Sequence, residues 1–442
     1  MSASRAALGA AIANRWTPYG LERDPFFQTE LGASDAALYP ASAYFVGRAR
    51  ELERVATTVG SGVSSATVVE GDAGVGKTSF VNALKARLAA GGALTHEQPI
   101  RVFDDTTFHA LVTEVLRTLL EIRATQREAG VERFVRAGSK AERLWDKVAT
   151  VAEGVTRRGG SLGVAGVSVG TSVSTVAPQG AGDRYYDEVA GALGDLSDGG
   201  HVPVLLHVNN LENLRDADLT KAAALIRNLR DYLLIPGGHW LFVGKTGVTR
   251  DVFEAREEVG SILAQPAVLA PLPPDALRAL LDTRYRKLRR GRAFTPPVPL
   301  DVAAALYGRF RGDLRSFLQL LSRAAERALP GAGKTPMDEG MILGAVGALY
   351  RERLVQRLGE DLFGALEATL RAVAPSVEFR AADLAKAAGV SRARATQVVE
   401  RLLERRVVRR GRTEQASKYL VPSGDVQVAL DAALRRGTAE TA

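Results

Sequence analysis

The 442-residue sequence predicts an α/β fold in which a parallel sheet has helices on both faces, followed by a helical segment and a small winged helix-turn-helix domain. Three observations carry this prediction. Short apolar runs such as "ATVVE" and "HVPVLLHV" alternate with amphipathic stretches such as "TFHALVTEVLRTLLEIR". A glycine-rich loop separates the first strand from a helical stretch. From about Pro266 onward the pattern is helical.

These changes of pattern divide the chain into four predicted segments. Residues 1–45 form an irregular N-terminal linker, residues 46–264 the α/β domain, residues 265–358 a helical domain and residues 359–436 the winged helix domain. Within the α/β domain, residues 157–182 ("RRGGSLGVAGVSVGTSVSTVAPQGAG") alternate small residues with valines. This segment is either a tolerated surface insertion or a loop for self-association.

The composition narrows the class of protein. The net charge of +8 and the pI of about 9.7 are typical of a nucleic-acid partner, or of a solvated arginine-rich surface. The chain has no cysteine, which excludes a disulfide scaffold and a zinc finger, and its five histidines show no ligand spacing. No apolar run approaches the ~20 residues of a membrane span. We therefore predict a cytoplasmic protein that does not contact a membrane.

The motif "GDAGVGKT" gives the strongest functional signal. It satisfies G-x-x-x-x-G-K-[ST] and stands between a predicted strand and a helix, as a phosphate-binding P-loop requires. The glycines let backbone N–H groups surround phosphates, Lys77 can reach the β- and γ-phosphates, and the hydroxyl of Thr78 can bind Mg²⁺. The motif predicts ATP and Mg²⁺ as ligands of Gly71, Asp72, Ala73, Gly74, Val75, Gly76, Lys77, Thr78 and Ser79.

A second apolar strand, "LLHVNNLENL", ends in Asn209 and Asn210. A nucleotide hydrolase usually places one acid there for Mg²⁺ and a neighbouring acid to polarise water. Asparagine can orient a water molecule, but it carries no charge for the metal and cannot act as a base. Glu212 is the nearest acid. It either swings into the site, if the strand has ended, or begins the next helix.

The segments "YFVGRARELERV" and "GDAGVGKT" together resemble AAA+ ATPases of the origin-recognition (initiator) clade and the related STAND signalling ATPases. "PAVLAPLPPDALRALLDTR" and "FRGDLRSFLQLL" resemble the helical lid of the same group, and the resemblance spans residues 19–330. It implies that Gly47 and Arg48 lie beside the nucleotide. It also implies that Arg315 is the sensor-2 arginine, which reaches from the lid toward the γ-phosphate. Asp313 can cap the helix that carries Arg315. The alternative for Arg315 is a solvated helix arginine.

The same resemblance implies two further sites after the strand "WLFVGK". Thr246 corresponds to the polar sensor-1 residue, with Lys245 as the alternative. Arg250 or Arg256 corresponds to an arginine offered to a neighbouring subunit. The family usually carries acids where this chain has Asn209 and Asn210, so the resemblance implies ATP binding with slow or absent hydrolysis.

The C-terminal stretch "FRAADLAKAAGVSRARATQVVERLLERRVVRRGRTEQASKYLVPS" predicts a winged helix-turn-helix. Gly389 lies in the turn, and Ser391 can cap the second helix. Ala395, Val398 and Leu402 recur at the spacing of a buried helix face.

A second stripe on the same helix is basic, and a predicted hairpin follows it as a wing. We expect this surface to contact double-stranded DNA through Arg392, Arg394, Gln397, Arg401, Arg409, Arg410 and Arg412. The alternative is a winged helix that contacts proteins.

These features predict an ATP-binding protein that associates with itself and whose nucleotide state controls assembly on DNA. One alternative is a STAND-type signalling or defence ATPase with a protein partner. Another is an active DNA-dependent ATPase that uses Glu212.

Overall fold

The computed structural model describes most of the chain, namely residues 14–130, 140–158, 182–213, 219–254, 257–310, 312–332, 334–373, 378–405, 407–410, 418–420, 424 and 426–429. Arg256, Arg412 and residues 159–181 of the glycine–valine segment lie outside these ranges. The predictions made for them therefore stay untested.

The chain forms two compact units. The sheet unit consists of Glu30–Ala73 and Lys77–Ala270, and the helical unit consists of Met1–Thr29, Gly74–Gly76 and Pro271–Ala442.

A parallel sheet of six described strands lies at the centre of the sheet unit, in the order β2-β4-β5-β1-β6 with β3 also paired to β4. Because all strands are parallel, the carboxyl ends of β1 and β5 meet at one edge, where Glu70 is level with Gly244. The strands are β1 Ser65–Glu70, β2 Leu94–Thr95, β3 Ile100–Arg101, β4 Val204–Asn209, β5 Gly238–Gly244 and β6 Ala267–Val268.

The helices of the sheet unit cover both faces of the sheet, which confirms the predicted fold class. They are α1 Ala41–Tyr44, α2 Ala49–Ser61, α3 Lys77–Ala90, α4 Phe108–Glu128, α5 Lys140–Arg158, α6 Gly182–Leu196, α7 Leu219–Leu233 and α8 Glu257–Gly260. Thr107 caps α4, since its side chain accepts a hydrogen bond from the N–H of Ala110. The main core lies on one face of the sheet, where alternate strand residues such as Val68, Leu206 and Phe242 pack against α4 and α7.

The opposite face of the sheet is partly polar. Thr67, Leu241 and His207 form one row across β1, β5 and β4. Lys85 on α3 is only 1% exposed, and its ammonium group donates to the carbonyl oxygens of His96 and Glu97 at 2.6 and 3.1 Å. Burial lowers the pKa of Lys85 to about 8. It also lowers the pKa of His207 well below its usual value, and the charge of Lys85 adds to this effect.

The helical unit begins with an N-terminal segment that is packed. Trp16 and Phe26 are at most 6% exposed and meet edge to face. The guanidinium of Arg284 lies 3.8 Å from the ring centre of Phe27 and donates to the carbonyl oxygens of Pro25 and Phe27. Cation–π contact and hydrogen bonds thus hold a segment that the sequence predicts as a linker.

Four helices follow in the part of the chain that the sequence predicts to be helical, and the second of them has only 9 residues. They are α9 Pro274–Leu288, α10 Leu300–Gly308, α11 Leu314–Ala332 and α12 Glu339–Leu358. The C-terminal part consists of α13 Glu360–Val373, α14 Ala381–Ala388 and α15 Arg392–Glu404, with an antiparallel sheet of β7 Glu378–Arg380, β8 Arg409–Arg410 and β9 Lys418–Leu420. None of the described helices is long and apolar enough to cross a membrane.

The buried histidines of the sheet predict a loss of stability in mild acid. His239 is 1% exposed, its Nδ1 lies 2.9 Å from the Ser65 hydroxyl, and burial lowers its pKa to about 4. Below pH ~6.5 the unfolded chain takes up protons at His239 and His207 that the folded chain cannot accept. We therefore expect the free energy of unfolding to fall more steeply as the pH drops below ~6.5, with a slope that approaches about 1.4 kcal/mol per pH unit for each histidine near pH ~5.5.

Urea unfolding followed by tryptophan fluorescence at pH 7.0, 6.0 and 5.5 measures this slope. His239→Asn should reduce the slope of the free energy of unfolding against pH by the contribution of one proton, and the same change at the exposed His201 is the matched control. Equal slopes in both variants would show that His239 is not the titrating group.

Candidate functional site

The glycine-rich loop of the predicted phosphate site joins the end of β1 to the start of α3. Gly76 has φ +96°, which favours glycine, and a Cβ there would meet nothing within 4 Å. The loop therefore has open space beside its backbone. The ammonium group of Lys77 donates to the carbonyl oxygens of Gly71 and Asp72 at 2.7 and 3.1 Å. The N-terminus of a 14-residue helix, a flanking lysine and a concave backbone fit a polyphosphate.

The remaining residues of the loop differ in exposure. Val75 is 3% exposed and anchors the loop, whereas Asp72 and Ala73 face solvent. Thr78 and Ser79 lie half-buried in the first turn of α3, where the hydroxyl of a metal-binding threonine is expected. Gly74 has φ +77°, and a Cβ there would lie 2.0 Å from Oδ1 of Asp313, which belongs to the same compact unit.

Two hydrogen-bonded links join the phosphate loop to the segment that follows β5. In the outer link, the hydroxyl of Thr246 donates to Oδ1 of Asp72 at 2.8 Å. The structure thus brings together two residues that the sequence predicts for the site. Lys245, the alternative for the sensor-1 position, is half-buried next to Thr246.

The inner link is made by Glu70, which the sequence analysis does not predict as a site residue. Glu70 is 8% exposed, and its Oε2 accepts from the N–H groups of Gly247 and Thr249 and from the Thr249 hydroxyl, at 3.2, 3.1 and 2.9 Å. An acid at the end of an otherwise apolar strand, directly before the loop motif, is the signal that could have revealed it. A π-helix, Thr249–Phe253, starts at this anchor.

The strand β4 ends at the asparagine pair as predicted, and the two residues form the turn that leaves the sheet. Asn210 has φ +67°, a left-handed conformation that asparagine tolerates, and Oδ1 of Asn209 accepts from the N–H of Asn210 at 2.9 Å. Val102, just after β3, holds this turn against the segment that follows β3. Its N–H donates to the Asn209 carbonyl, and its own carbonyl accepts from the Asn213 side chain.

Glu212 begins a helical turn, since residues 211–213 are helical. The strand β4 ends before Glu212, at Asn209, and Glu212 lies at the start of the next helix. Its Oε2 is buried and has no hydrogen-bond partner among the described residues. A buried carboxylate oxygen without a donor is costly, by about 1–3 kcal/mol, and can accept a hydrogen bond from a bound water molecule or ligand.

Gly47 and Arg48 both have positive φ, +80° and +59°, and form the sharp turn that starts α2. The guanidinium of Arg48 donates to the carbonyl oxygen of Ala270 at 2.9 Å. This contact fixes the turn to the chain just after β6.

Asp313 caps α11, as predicted: its Oδ1 accepts from the N–H of Ser316 at 3.0 Å and its Oδ2 from the Ser316 hydroxyl at 2.6 Å. Arg315 lies exposed in the first turn of this helix. Arg250 lies in the π-helix with its side chain 78% exposed, and it pairs with Asp251 at 2.8 Å.

The C-terminal helix pair has the local geometry that the sequence predicts. Gly389 ends α14 with φ +65°, and the Ser391 side chain accepts from the N–H of Arg394 at 3.2 Å, which caps α15. The apolar stripe of α15 is buried, with Ala395 and Leu402 at 0% exposure. The polar stripe is exposed: Arg392, Arg394, Gln397 and Arg401. Arg409 and Arg410 form the strand β8.

The family comparison agrees with this geometry. Residues 44–235 match the AAA ATPase domain. This part of the chain is therefore similar to AAA ATPase domains. This match includes the phosphate loop, the Gly47–Arg48 turn and the asparagine pair, and it ends before Thr246. No curated protein is significantly similar to the chain.

Solved structures extend the similarity over most of the chain. A Walker-type ATPase of Pyrococcus abyssi covers 92% of this chain and 99% of its own, at 13% sequence identity and a TM-score of 0.50. The ORC2 protein of Aeropyrum pernix in ADPNP–ADP complexes covers 94% and 98%, at 14% identity and a TM-score of 0.48. The Aeropyrum pernix ORC1 protein in complex with DNA covers 96% and 98%, at 17% identity and a TM-score of 0.44.

The inner link predicts that Glu70 positions the phosphate loop of the AAA ATPase domain. Glu70→Ala leaves three buried donors unpaired, so we expect a loss of about 2 kcal/mol in stability and weaker nucleotide binding. Glu70→Gln keeps an acceptor oxygen and should recover most of both. Thermal melting and titration with a fluorescent ATP analogue measure the two effects.

Thr246→Val is the matched control for the outer link, because it removes one exposed hydrogen bond. We expect its melting temperature to stay near that of the wild type. A Glu70→Ala protein that melts and binds like the wild type would contradict a positioning role.

Proposed function

We propose that the protein binds ATP with Mg²⁺, hydrolyses it slowly or not at all, and assembles on double-stranded DNA according to its nucleotide state. The observation that supports slow hydrolysis is the end of β4, where Asn209 and Asn210 form a hydrogen-bonded turn in place of two acids. The protein would then act as a switch, since the bound nucleotide favours one of two conformations.

Several residues would hold the nucleotide. The backbone N–H groups from Gly71 to Ser79 and the ammonium group of Lys77 would contact the phosphates, and the hydroxyl of Thr78 would contact Mg²⁺. ATP would supply the triphosphate charge that this positive end of α3 can stabilise. Glu70 and Asp72 would keep the loop in place before the nucleotide arrives.

The asparagine pair supports retention of ATP for two physical reasons. An amide carries no charge to hold Mg²⁺ and has no basic group for the attacking water. In addition, the Asn209 side-chain oxygen is already engaged by the N–H of Asn210. Thus the pair serves the strand-to-helix turn.

A second candidate function is active hydrolysis through Glu212. Its Oε2 is buried and has no hydrogen-bond partner in the part of the chain that the structure describes, and it lies in the helical turn just after the strand, which supports this function. A carboxylate there can accept a proton or a hydrogen bond from a water molecule.

Single-turnover hydrolysis with Mg²⁺, with and without duplex DNA, separates the two candidates. For the switch we expect bound ATP to persist, with a rate below about 0.01 s⁻¹, against the ~1–1000 s⁻¹ typical of enzymes. Lys77→Ala should abolish nucleotide binding, so any ADP formed in a preparation of this variant gives the background rate of the hydrolysis assay.

Glu212→Gln decides the mechanism. If wild-type protein forms ADP rapidly and Glu212→Gln binds ATP but forms no ADP, the chain is an ATPase that uses Glu212 and the switch proposal fails. If wild type and Glu212→Gln both retain ATP, the switch proposal stands.

The proposed DNA surface is the exposed stripe of α15 with the adjoining strand β8, in a winged-helix arrangement. Arg394 and Gln397 lie one turn apart and contact each other, with Nη1 of Arg394 3.2 Å from Oε1 of Gln397. Such a stripe can enter a major groove, where guanidinium groups contact bases and phosphates. We also propose that Arg315 senses the nucleotide from the lid and that Arg250 serves a neighbouring subunit in a self-associated form.

Arg401→Ala tests the DNA surface. If Arg401 contacts a phosphate, we expect weaker binding at every duplex sequence and a slope of log affinity against log salt that is smaller by about 1. Fluorescence anisotropy of labelled duplexes at several salt concentrations measures both.

Arg371→Ala is the control, because Arg371 lies on α13 and pairs with Glu367. No DNA affinity in the full chain at 50 mM salt would favour instead the signalling ATPase with a protein partner.

A further inference from the structure

A cavity in the helical unit is lined by three arginines. It has a volume of about 270 Å³ and lies between α11 and α12, with Val426 from the C-terminal part at its wall. Arg323 on α11 and Arg353 and Arg357 on α12 line it.

The spacing along each helix explains why these side chains converge. Gln319 and Arg323 are four residues apart on α11, and Arg353 and Arg357 are four residues apart on α12, so each pair shares one helix face. Tyr350 and Val426, also in the lining, are only 7% and 2% exposed. Buried apolar surface beside the guanidinium groups lowers the local dielectric and strengthens their interaction with an anion.

The charge of the cavity is unbalanced. No acidic residue occurs in the described lining, and none of the three arginines forms an ion pair within the described ranges. Arg323 lies 5.8 Å from the ring centre of Tyr350, and Arg357 donates one N–H to the carbonyl of Arg405. Like charges four residues apart on a helix repel each other. An anion between them would relieve this repulsion.

We propose that this cavity binds a small phosphate-bearing anion. Guanidinium groups match phosphate oxygens with paired N–H donors, and the amide of Gln319 adds a neutral donor. The volume, just below the ~300 Å³ at which sites for drug-sized ligands begin, fits a phosphate or pyrophosphate group. A DNA duplex is too wide to enter. The ligand class is thus a free phosphate or the phosphate end of a small metabolite.

The test uses the full chain carrying Lys77→Ala, so that the phosphate loop does not dominate binding, with pyrophosphate as the probe at constant ionic strength. Isothermal titration calorimetry should show one binding site. Arg353→Gln in this background should weaken binding about tenfold, the effect of losing one charge-assisted contact. Arg323→Gln should do the same, and the exposed control Arg371→Gln should not.

Thermal melting of each variant confirms that it is folded. The pyrophosphate titration is repeated with wild-type protein that is saturated with a non-hydrolysable ATP analogue, so that the affinity is also measured with Lys77 present. Unaltered pyrophosphate affinity in both Arg353→Gln and Arg323→Gln would overturn the proposal. Binding of a short duplex, sensitive to Arg353→Gln, without any binding of pyrophosphate would overturn it too. Neither of these two outcomes depends on ATP binding at Lys77. The proposed nucleotide function can therefore fail while the proposal for the cavity stands, and the reverse.

Discussion

The buried carboxylate of Glu70 is the interaction on which the nucleotide site depends. Parallel pairing puts the end of β1 level with the end of β5, and the chain leaves both strands as irregular loops. One carboxylate oxygen gathers three donors from the second loop and so fixes it against the first. The exposed contact between Asp72 and Thr246 is a second link between the same two loops.

The sheet beneath the phosphate loop combines an apolar face with a partly polar one. The apolar face carries most of the core, while the other face buries Lys85 and His207. Burial lowers the pKa of both groups, and neither group lies in the phosphate loop. Lys85 lies on α3, and its hydrogen bonds to the carbonyls of His96 and Glu97 hold α3 to the segment between β2 and β3.

Sequence reasoning was most successful where a feature depends on neighbours in the chain. The loop before α3, the Ser391 cap and the turn at Gly389 are local and were predicted correctly. The end of β4 at Asn209 was also predicted, because the apolar run stops there. The conformation of Asn210 was not, since it depends on the turn that the asparagine pair makes.

Long-range features could not be predicted. The contact of Glu70 with Thr249 joins residues 179 positions apart, and only the strand register determines it. The arginine cavity requires α11 and α12 to pack with particular faces together. The packing of Trp16 and Phe26 was missed because a short aromatic cluster between irregular residues has no periodicity to analyse.

One arrangement in the helical unit joins two helix ends that are distant in the sequence. Arg357, in the last turn of α12, donates to the carbonyl of Arg405, and Arg405, just after α15, donates to the carbonyl of Arg357 at 3.3 Å. Each cation therefore satisfies the negative end of the other helix dipole. Because the exchange is reciprocal, fraying of either end removes a cap from both. The exposed basic helix α15 is thereby linked at its end to the helix that lines the cavity.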